Sequence, residues 1–273
     1  MITLVILMIH GRRGQLTAIS IITPFHNAAP WLKRCLESVH QQEGDFEYIL
    51  VNDHSDDNSR NIAKEYENKD ERFFVFDNEN IKGVSGARNT GIEHSSSKWI
   101  TFLDADDKLN NNAIEIYARA AELGYNMVQM NHLRYYTRLG RTRLKYTNEP
   151  GEYTCRHLPN CWCMVWNKLY NRDFIGNLRF SEGMQYGEDE LFNLECLSKD
   201  NRIYCIFEQA IIHCFDNKQS LSRSITPEKL LYQAQALHDF IVWEKNPSLR
   251  REVCKILSEH YGSMRYLDTI GPE

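Results

Sequence analysis

Apolar β-rich runs alternate with helical stripes along the first half of the chain. Ala18 to Thr23 reads as a strand, after which Leu32, Cys35, Leu36 and Val39 recur at helical spacing. Tyr48 to Val51 predicts a second strand ending at Asn52-Asp53, Ser59 to Asn68 a short helix, and Phe73 to Phe76 a third strand. Gly86 to His94 predicts a helix, Trp99 to Leu103 a strand, and Met127 to Met130 another. Between the last two, Ala113, Ile116, Tyr117 and Ala120 form a further helical stripe. This alternation specifies an α/β fold: a Rossmann-like, mostly parallel sheet with helices on both faces. Ligands of such sheets bind at the carboxyl ends of the strands, here Thr23-Pro24, Asn52-Asp53 and Asp104-Ala105-Asp106.

Beyond Asn131 the regularity breaks into a basic and aromatic stretch, Tyr135 to Tyr146, and a Cys/Trp-rich segment reaching Tyr170. A helix is expected from Glu188 to Lys199, a strand from Arg202 to Phe207, and two helices over Pro227 to Lys245 and Ser248 to Tyr266. The expected organisation is an N-terminal extension (1–16), one main unit (17–225) with halves meeting near 131/132, and a C-terminal helical appendage (226–273).

The chain has 273 residues, enough for a full core, and carries 32 Lys and Arg against 37 Asp and Glu. A net charge of −5 supplies no global basic field, so nucleic acid is not an expected partner. The 8 cysteines sit mostly inside apolar segments, as reduced thiols do in a cytosolic protein. Cys161-x-Cys163 has no matching second pair, so zinc is not implied. The apolar stretch Met1 to Ile9 precedes Arg12 and Arg13, the wrong order for a secretory signal. No run approaches the roughly 18 to 20 apolar residues of a membrane span. A soluble protein is expected, with membrane-surface association through a partner or a tail.

Candidate chemistry concentrates in two acidic clusters. Asp104-Ala105-Asp106-Asp107 follows the apolar run Trp99 to Leu103 and delivers like charges to one strand end. Such charges are costly unless a cation or hydrogen-bond donors sit between them. Alone, the cluster reads equally as a polar strand end running into a helix cap. Glu188-Asp189-Glu190 opens the helix predicted from Glu188, where the helix dipole by itself favours acids.

Five segments have to be explained together. Ile19 to Asn27 contains S-I-I-T-P-F-H-N, Val51 to Ser59 reads V-N-D-H-S-D-D-N-S, Gly83 to Gly91 reads G-V-S-G-A-R-N-T-G, Phe102 to Asp107 reads F-L-D-A-D-D, and Gly187 to Phe192 reads G-E-D-E-L-F. With these motifs in this order, the chain resembles the inverting glycosyltransferase family 2, nucleotide-sugar transferases of the A-type fold, over about residues 18–223.

The resemblance implies a donor site built from Thr23, Pro24, Asn27, Asp53, Lys82, Gly86, Arg88 and Asp104 in the first half. Asp53 would accept from a base or ribose, Gly83, Gly86 and Gly91 would permit close backbone approach, and Lys82 and Arg88 would lie beside the phosphates. It further implies Mn²⁺ or Mg²⁺ on Asp106, with His213 a candidate ligand, and Asp107 capping the following helix. Asp189 would be the base that takes the acceptor proton, with Glu188, Trp166 and Lys168 on the acceptor side. The implied partners are a nucleotide-sugar donor, probed first as a UDP-sugar, and a glycan or lipid-linked acceptor. The implied setting is surface-polysaccharide assembly in the cytoplasm, at the inner face of a membrane.

One departure stands out. The family's aromatic-aromatic-Arg run before Ser-x-Ser is replaced by Cys214-Phe215-Asp216 before Ser220-Leu221-Ser222, which leaves Lys218 or Arg223 to cover the diphosphate. Two other classes bear on the same residues. A catalytically silent nucleotide-sugar-binding scaffold has no need of a base at Asp189. A sugar-nucleotide pyrophosphorylase needs a Gly-rich basic loop after the first strand, which Thr23 to Asn27 lacks.

Overall fold

Seven successive residues, Ile19–Phe25, form a strand (β1) buried along its whole length. An apolar run with both faces covered is what the interior of a parallel sheet demands. In the computed structural model, which describes residues 19–136, 140–145, 148–155, 157–184, 186–214, 217 and 226–261, β1 pairs in parallel with β2 (Phe46–Asn52) and β4 (Trp99–Phe102). β3 (Phe73–Asp77) extends the parallel set beyond β2.

Helices α1 (Ala29–His40), α2 (Ser59–Lys69) and α3 (Val84–His94) connect these strands. Alternation along β1 sends Ile19 and Ile21 into a core with Leu32, Leu36 and Tyr66 of α1 and α2. Ile22 instead joins Ala87 and Ile92 of α3 on the opposite side. Gly91 makes that second contact possible, because a Cβ there would stand 2.3 Å from Ile22 Cγ2. Helix α4 (Ala113–Ala121) returns to the first face through Ile116 and Tyr117.

The second half extends the same sheet. Its strands are β5 (Lys108–Leu109), β6 (Met127–Tyr136), β7 (Arg141–Lys145), β8 (Gly151–Thr154), β9 (Lys168–Asn171) and β10 (Arg202–Cys214). The order is β3-β2-β1-β4-β9-β6-β10-β5, with β7 on β6 and β8 on β10. β9 runs antiparallel to both β4 and β6, so this one reversed strand joins the two halves. β6 and β10 are parallel to each other.

A short helix α5 (Arg172–Ile175) leads towards α6 (Glu188–Lys199). After Thr226, whose side chain accepts from Lys229 N, come α7 (Pro227–Trp243) and α8 (Pro247–Tyr261). Leu237, Leu249 and Val253 of these helices enter the core layer that holds Phe192 and Leu197 of α6.

The α/β sheet with helices on both faces agrees with the sequence reading, and several boundaries move. The strand expected to stop at Met130 continues to Tyr136, across the division placed near 131/132, and the one expected to stop at Phe207 continues to Cys214. Register shifts between Ile206 and Ile211 let β10 carry the polar Glu208-Gln209 step without ending. The expected helix over Ser248 to Tyr266 is described as far as Tyr261. The extension 1–16, Lys218, Ser220-Leu221-Ser222 and Arg223 lie outside the described residues. Among the described residues, no helix is long and apolar enough to cross a membrane.

Candidate active site

The carboxyl ends of β1 and β2 are tied together by their loops. Asn27, at φ 47°, accepts from Asp56 N at 2.8 Å and donates its own N–H to Ser55 Oγ at 3.1 Å. Asp53 is buried, and its Oδ1 accepts from Asn78 Nδ2 at 2.7 Å and Gly83 N at 3.1 Å. The carboxylate therefore braces the turn that opens α3, while Asp57, one residue before the N-cap of α2, accepts from Ser59 N at 2.9 Å. Gly86 is required by packing, since a Cβ would stand 2.0 Å from the Ile81 carbonyl oxygen. That glycine lets the loop carrying the exposed Lys82 fold over the first turn of α3.

Arg88, on α3, is almost wholly buried and joins three acids from three segments. Its Nη1 donates to Asp189 Oδ1 at 2.5 Å and Glu188 Oε1 at 3.0 Å, and its Nη2 to Asp104 Oδ1 at 3.2 Å. Its guanidinium also lies over the Phe180 ring, 5.2 Å from the centroid. Burial opposes the charge on Arg88, but Asp189, Asp104 and Glu188 outweigh it and hold the guanidinium protonated. The cation expected beside phosphates is thus engaged by carboxylates, and it links the end of β4 to the start of α6.

Asp189 lies in the first turn of α6, after Gly187 at φ 82°. Its Oδ2 accepts from Val165 N at 3.3 Å. Burial raises the Asp189 pKa, Arg88 opposes the rise, and Glu188 and Asp104 add to it, for a net shift upward. A carboxylate moved this way is a stronger proton acceptor than an exposed aspartate.

Asp106 and Asp107 follow Asp104 in a tight turn closed by Asp107 N to Asp104 O at 3.0 Å. Burial, with Asp107 and Asp104 nearby, pushes the Asp106 carboxyl up to about 6. Asn217 donates to its Oδ2 at 2.8 Å, and Arg34 donates to its carbonyl. Asp107 is not a helix cap. Its fully buried side chain accepts from Cys214 N at 2.7 Å and pairs with His213 Nδ1 at 3.0 Å. Burial works against charge on His213, but Asp107 and Asp104 raise its pKa overall. The imidazole stacks on Trp166 at 5.2 Å and 4°, and His132 meets the same indole edge-on at 4.8 Å.

The oxygen and imidazole donors of Asp104, Asp106 and His213 suit Mn²⁺ or Mg²⁺, and a carboxylate on the second ring nitrogen is how ligating histidines are commonly held. Among the described residues, no three His, Cys, Asp or Glu side chains already converge as a finished metal site. The fit is one of charge and donor type.

Four residues expected to meet ligands are taken up by packing. Thr23 is fully buried and its Oγ1 shares a hydrogen bond with Tyr48 OH at 2.9 Å. Pro24, next along β1, is buried too. Lys168 is fully buried, and its ammonium donates to the carbonyls of Cys161 and Met164 and to Asn167 Oδ1. Burial lowers its pKa to about 8. Lys168 therefore holds the Cys161–Asn167 loop together and is not open to an acceptor. Trp166, between two histidines, supports His213 and offers no free face to a sugar. Asn78 and Asn217 were not anticipated. Asn78 follows the carboxyl end of β3, so the strand-end rule applied to the other strands would have found it; Asn217 carries no comparable signal.

The chain matches the family description Glycosyl transferase family 2 over residues 20–188 and belongs to that family. It is 31% identical over 217 residues to the uncharacterized glycosyltransferase EpsJ of Bacillus subtilis (strain 168), covering 75% of this chain and 62% of that protein. It is 32% identical over 208 residues to the GalNAc(5)-diNAcBac-PP-undecaprenol beta-1,3-glucosyltransferase of Campylobacter jejuni, covering 70% of this chain and 65% of that enzyme. The crystal structure of S. aureus TarS 1-349 in complex with UDP-GlcNAc superposes with a TM-score of 0.77 at 19% identity, covering 93% of this chain and 76% of that one. The mannosyltransferase PcManGT from Pyrobaculum calidifontis, in complex with GDP-Man and Mn2+, superposes with a TM-score of 0.65 at 12% identity, covering 92% and 71%. These likenesses show the glycosyltransferase A-type fold.

Proposed function

We propose that this chain is an inverting, metal-dependent glycosyltransferase that moves a sugar from a UDP-sugar to a hydroxyl of a glycan or lipid-linked acceptor, in the assembly of a bacterial surface polysaccharide. The observation that carries the reading is the Arg88 cluster, in which one guanidinium bonds the strand-end acid Asp104 and the helix-start acid Asp189. A donor-side acid and a candidate base then belong to one bonded unit with little freedom to drift apart.

In this reading Asp53 and the Gly83–Gly86 turn receive the nucleoside, and Asp189 takes the proton of the acceptor hydroxyl as it attacks the anomeric carbon opposite the leaving diphosphate. Attack from that face inverts the configuration. Glu188 and Asp104 keep Asp189 basic, and Arg88 holds it in place. Asp104, Asp106 and His213 would hold the divalent cation, which would neutralise charge on the departing diphosphate. Support for the donor and acceptor classes comes from the UDP-GlcNAc complex of TarS and from the undecaprenol-linked name of the Campylobacter enzyme. In this reading the enzyme works in the cytoplasm at the membrane's inner face.

Calorimetric titration with UDP, with and without Mn²⁺, tests the donor half. Metal-dependent UDP binding is expected; no UDP binding in either condition would overturn the assignment.

A further inference from the structure

Helix α7 reaches the turn that holds the candidate base with the side chain of Gln233. Gln233 Nε2 donates to Glu190 Oε2 at 2.7 Å, in a contact where both residues are only 5% exposed. The same side chain packs on Gly187, where an added Cβ would stand 2.5 Å from Gln233 Cγ. Gly187 and Glu190 are the residues on either side of Glu188-Asp189. Gln233 thus grips the first turn of α6 immediately before and immediately after the pair that bonds Arg88.

The remaining contacts explain why that grip matters. Asn193, one turn on, donates to the Asp189 carbonyl at 2.9 Å and the Cys163 carbonyl at 3.0 Å, and Tyr170 OH donates to Asn193 Oδ1 at 2.7 Å. These bonds fix the helix behind Asp189. The chain in front of it turns through a left-handed glycine, where the backbone has most freedom. Gln233 closes that freedom by filling the space above Gly187 while its amide holds Glu190.

We propose that Gln233 is a positioning residue for Asp189, and that α7 is thereby part of the transfer machinery. The inference rests on the reading of Asp189 as the base. A base displaced by a fraction of an ångström from its acceptor loses much of its advantage, and the contacts of Gln233 with Gly187 and Glu190 bear on the first turn of α6. Loss of Gln233 should therefore act on turnover and spare donor binding.

The test is a reciprocal exchange, read as UDP release from UDP-N-acetylglucosamine or UDP-glucose and as UDP affinity by calorimetry. Gln233→Glu sets two carboxylates against each other and should lower kcat by about tenfold or more, with the donor KM and UDP affinity unchanged. Gln233→Met, which keeps the volume and removes the donor, should act in the same direction. Adding Glu190→Gln to Gln233→Glu restores a donor–acceptor pair with the roles exchanged and should return kcat to within about threefold of the parent. Unchanged kcat in both single variants, an equal loss of donor affinity, or no recovery in the double variant overturns the inference. Asp189→Asn separates the two levels. If that variant turns over normally, the base reading itself has failed; if it is inactive while the Gln233 variants are normal, only the role of Gln233 has.

Discussion

Arg88 Nη1 meets Asp189 Oδ1 at 2.5 Å, a contact that spans 101 positions of sequence and joins the middle of α3 to the first turn of α6. Arg88 also holds Glu188 and Asp104, so its removal would leave three partly buried acids without their cation. Arg88→Leu should cost about 3–5 kcal/mol of stability, read as a lower denaturant midpoint. Arg88→Lys keeps the charge but cannot fork to three carboxylates; it should stay folded and lose UDP release by on the order of a hundredfold.

Asp189→Asn removes the proposed proton acceptor while leaving a side chain of the same shape. Turnover should fall by on the order of a hundredfold or more with UDP affinity retained. An equal fall in UDP affinity would place Asp189 on the donor side.

The acid limb of the pH–rate profile follows from the upward shift of Asp189. A base with a raised pKa is protonated over a wider range of pH, so activity should rise with pH well above the pH of about 4 at which an ordinary aspartate ionises. Glu188 is one of the charges that raise it. Glu188→Gln should move the limb to lower pH, because the repelling charge is gone and Arg88 has one fewer carboxylate to share. A limb that stays in place would show that another group titrates.

Asp106 offers a separate handle. Asp106→Ala should abolish the Mn²⁺-dependent part of UDP binding measured by calorimetry and leave the fold intact, since the bond from Asn217 is lost while that from Arg34 goes to the main-chain carbonyl and is kept. Metal dependence that survives the substitution would move the cation elsewhere.

A stability prediction lies away from the site. The buried Glu47 carboxylate accepts from Ser20 Oγ, from Ser96 N and Oγ, and from Ser97 N and Oγ, tying the loop before β4 to β1 and β2. Glu47→Ala would strand these donors and should cost about 3 kcal/mol, measured by thermal or urea unfolding.

The parallel sheet was legible because Ile19 to Phe25, Tyr48 to Val51 and Trp99 to Phe102 are long apolar runs set between helical stripes. β9 was not, because Lys168–Asn171 has four residues, two of them polar, and is a strand only through its neighbours on both sides. The acids of the site were legible as acids. Their partners were not: nothing in local spacing tells that Asp107 turns inward to His213, or that Arg88 is claimed by carboxylates 16 to 101 positions away. Lys168 and Trp166 misled for a related reason, since residue type alone cannot distinguish a side chain that greets a ligand from one that holds up its wall.

The reversed strand β9 sets a rule for anyone building chimaeras between relatives of this chain. It is flanked by β4, whose end carries Asp104, and by β6, so a graft that imports a foreign segment after Asn131 also imports the neighbour of β4. The pairs Trp99 with Asn171, Ile100 with Tyr170 and Thr101 with Leu169 would have to be preserved across the junction. A one-residue slip there turns every β9 side chain to the opposite face and carries the Cys161–Asn167 loop with it. Exchange of segments by cut-and-paste is therefore limited less by the loops than by six paired strand residues.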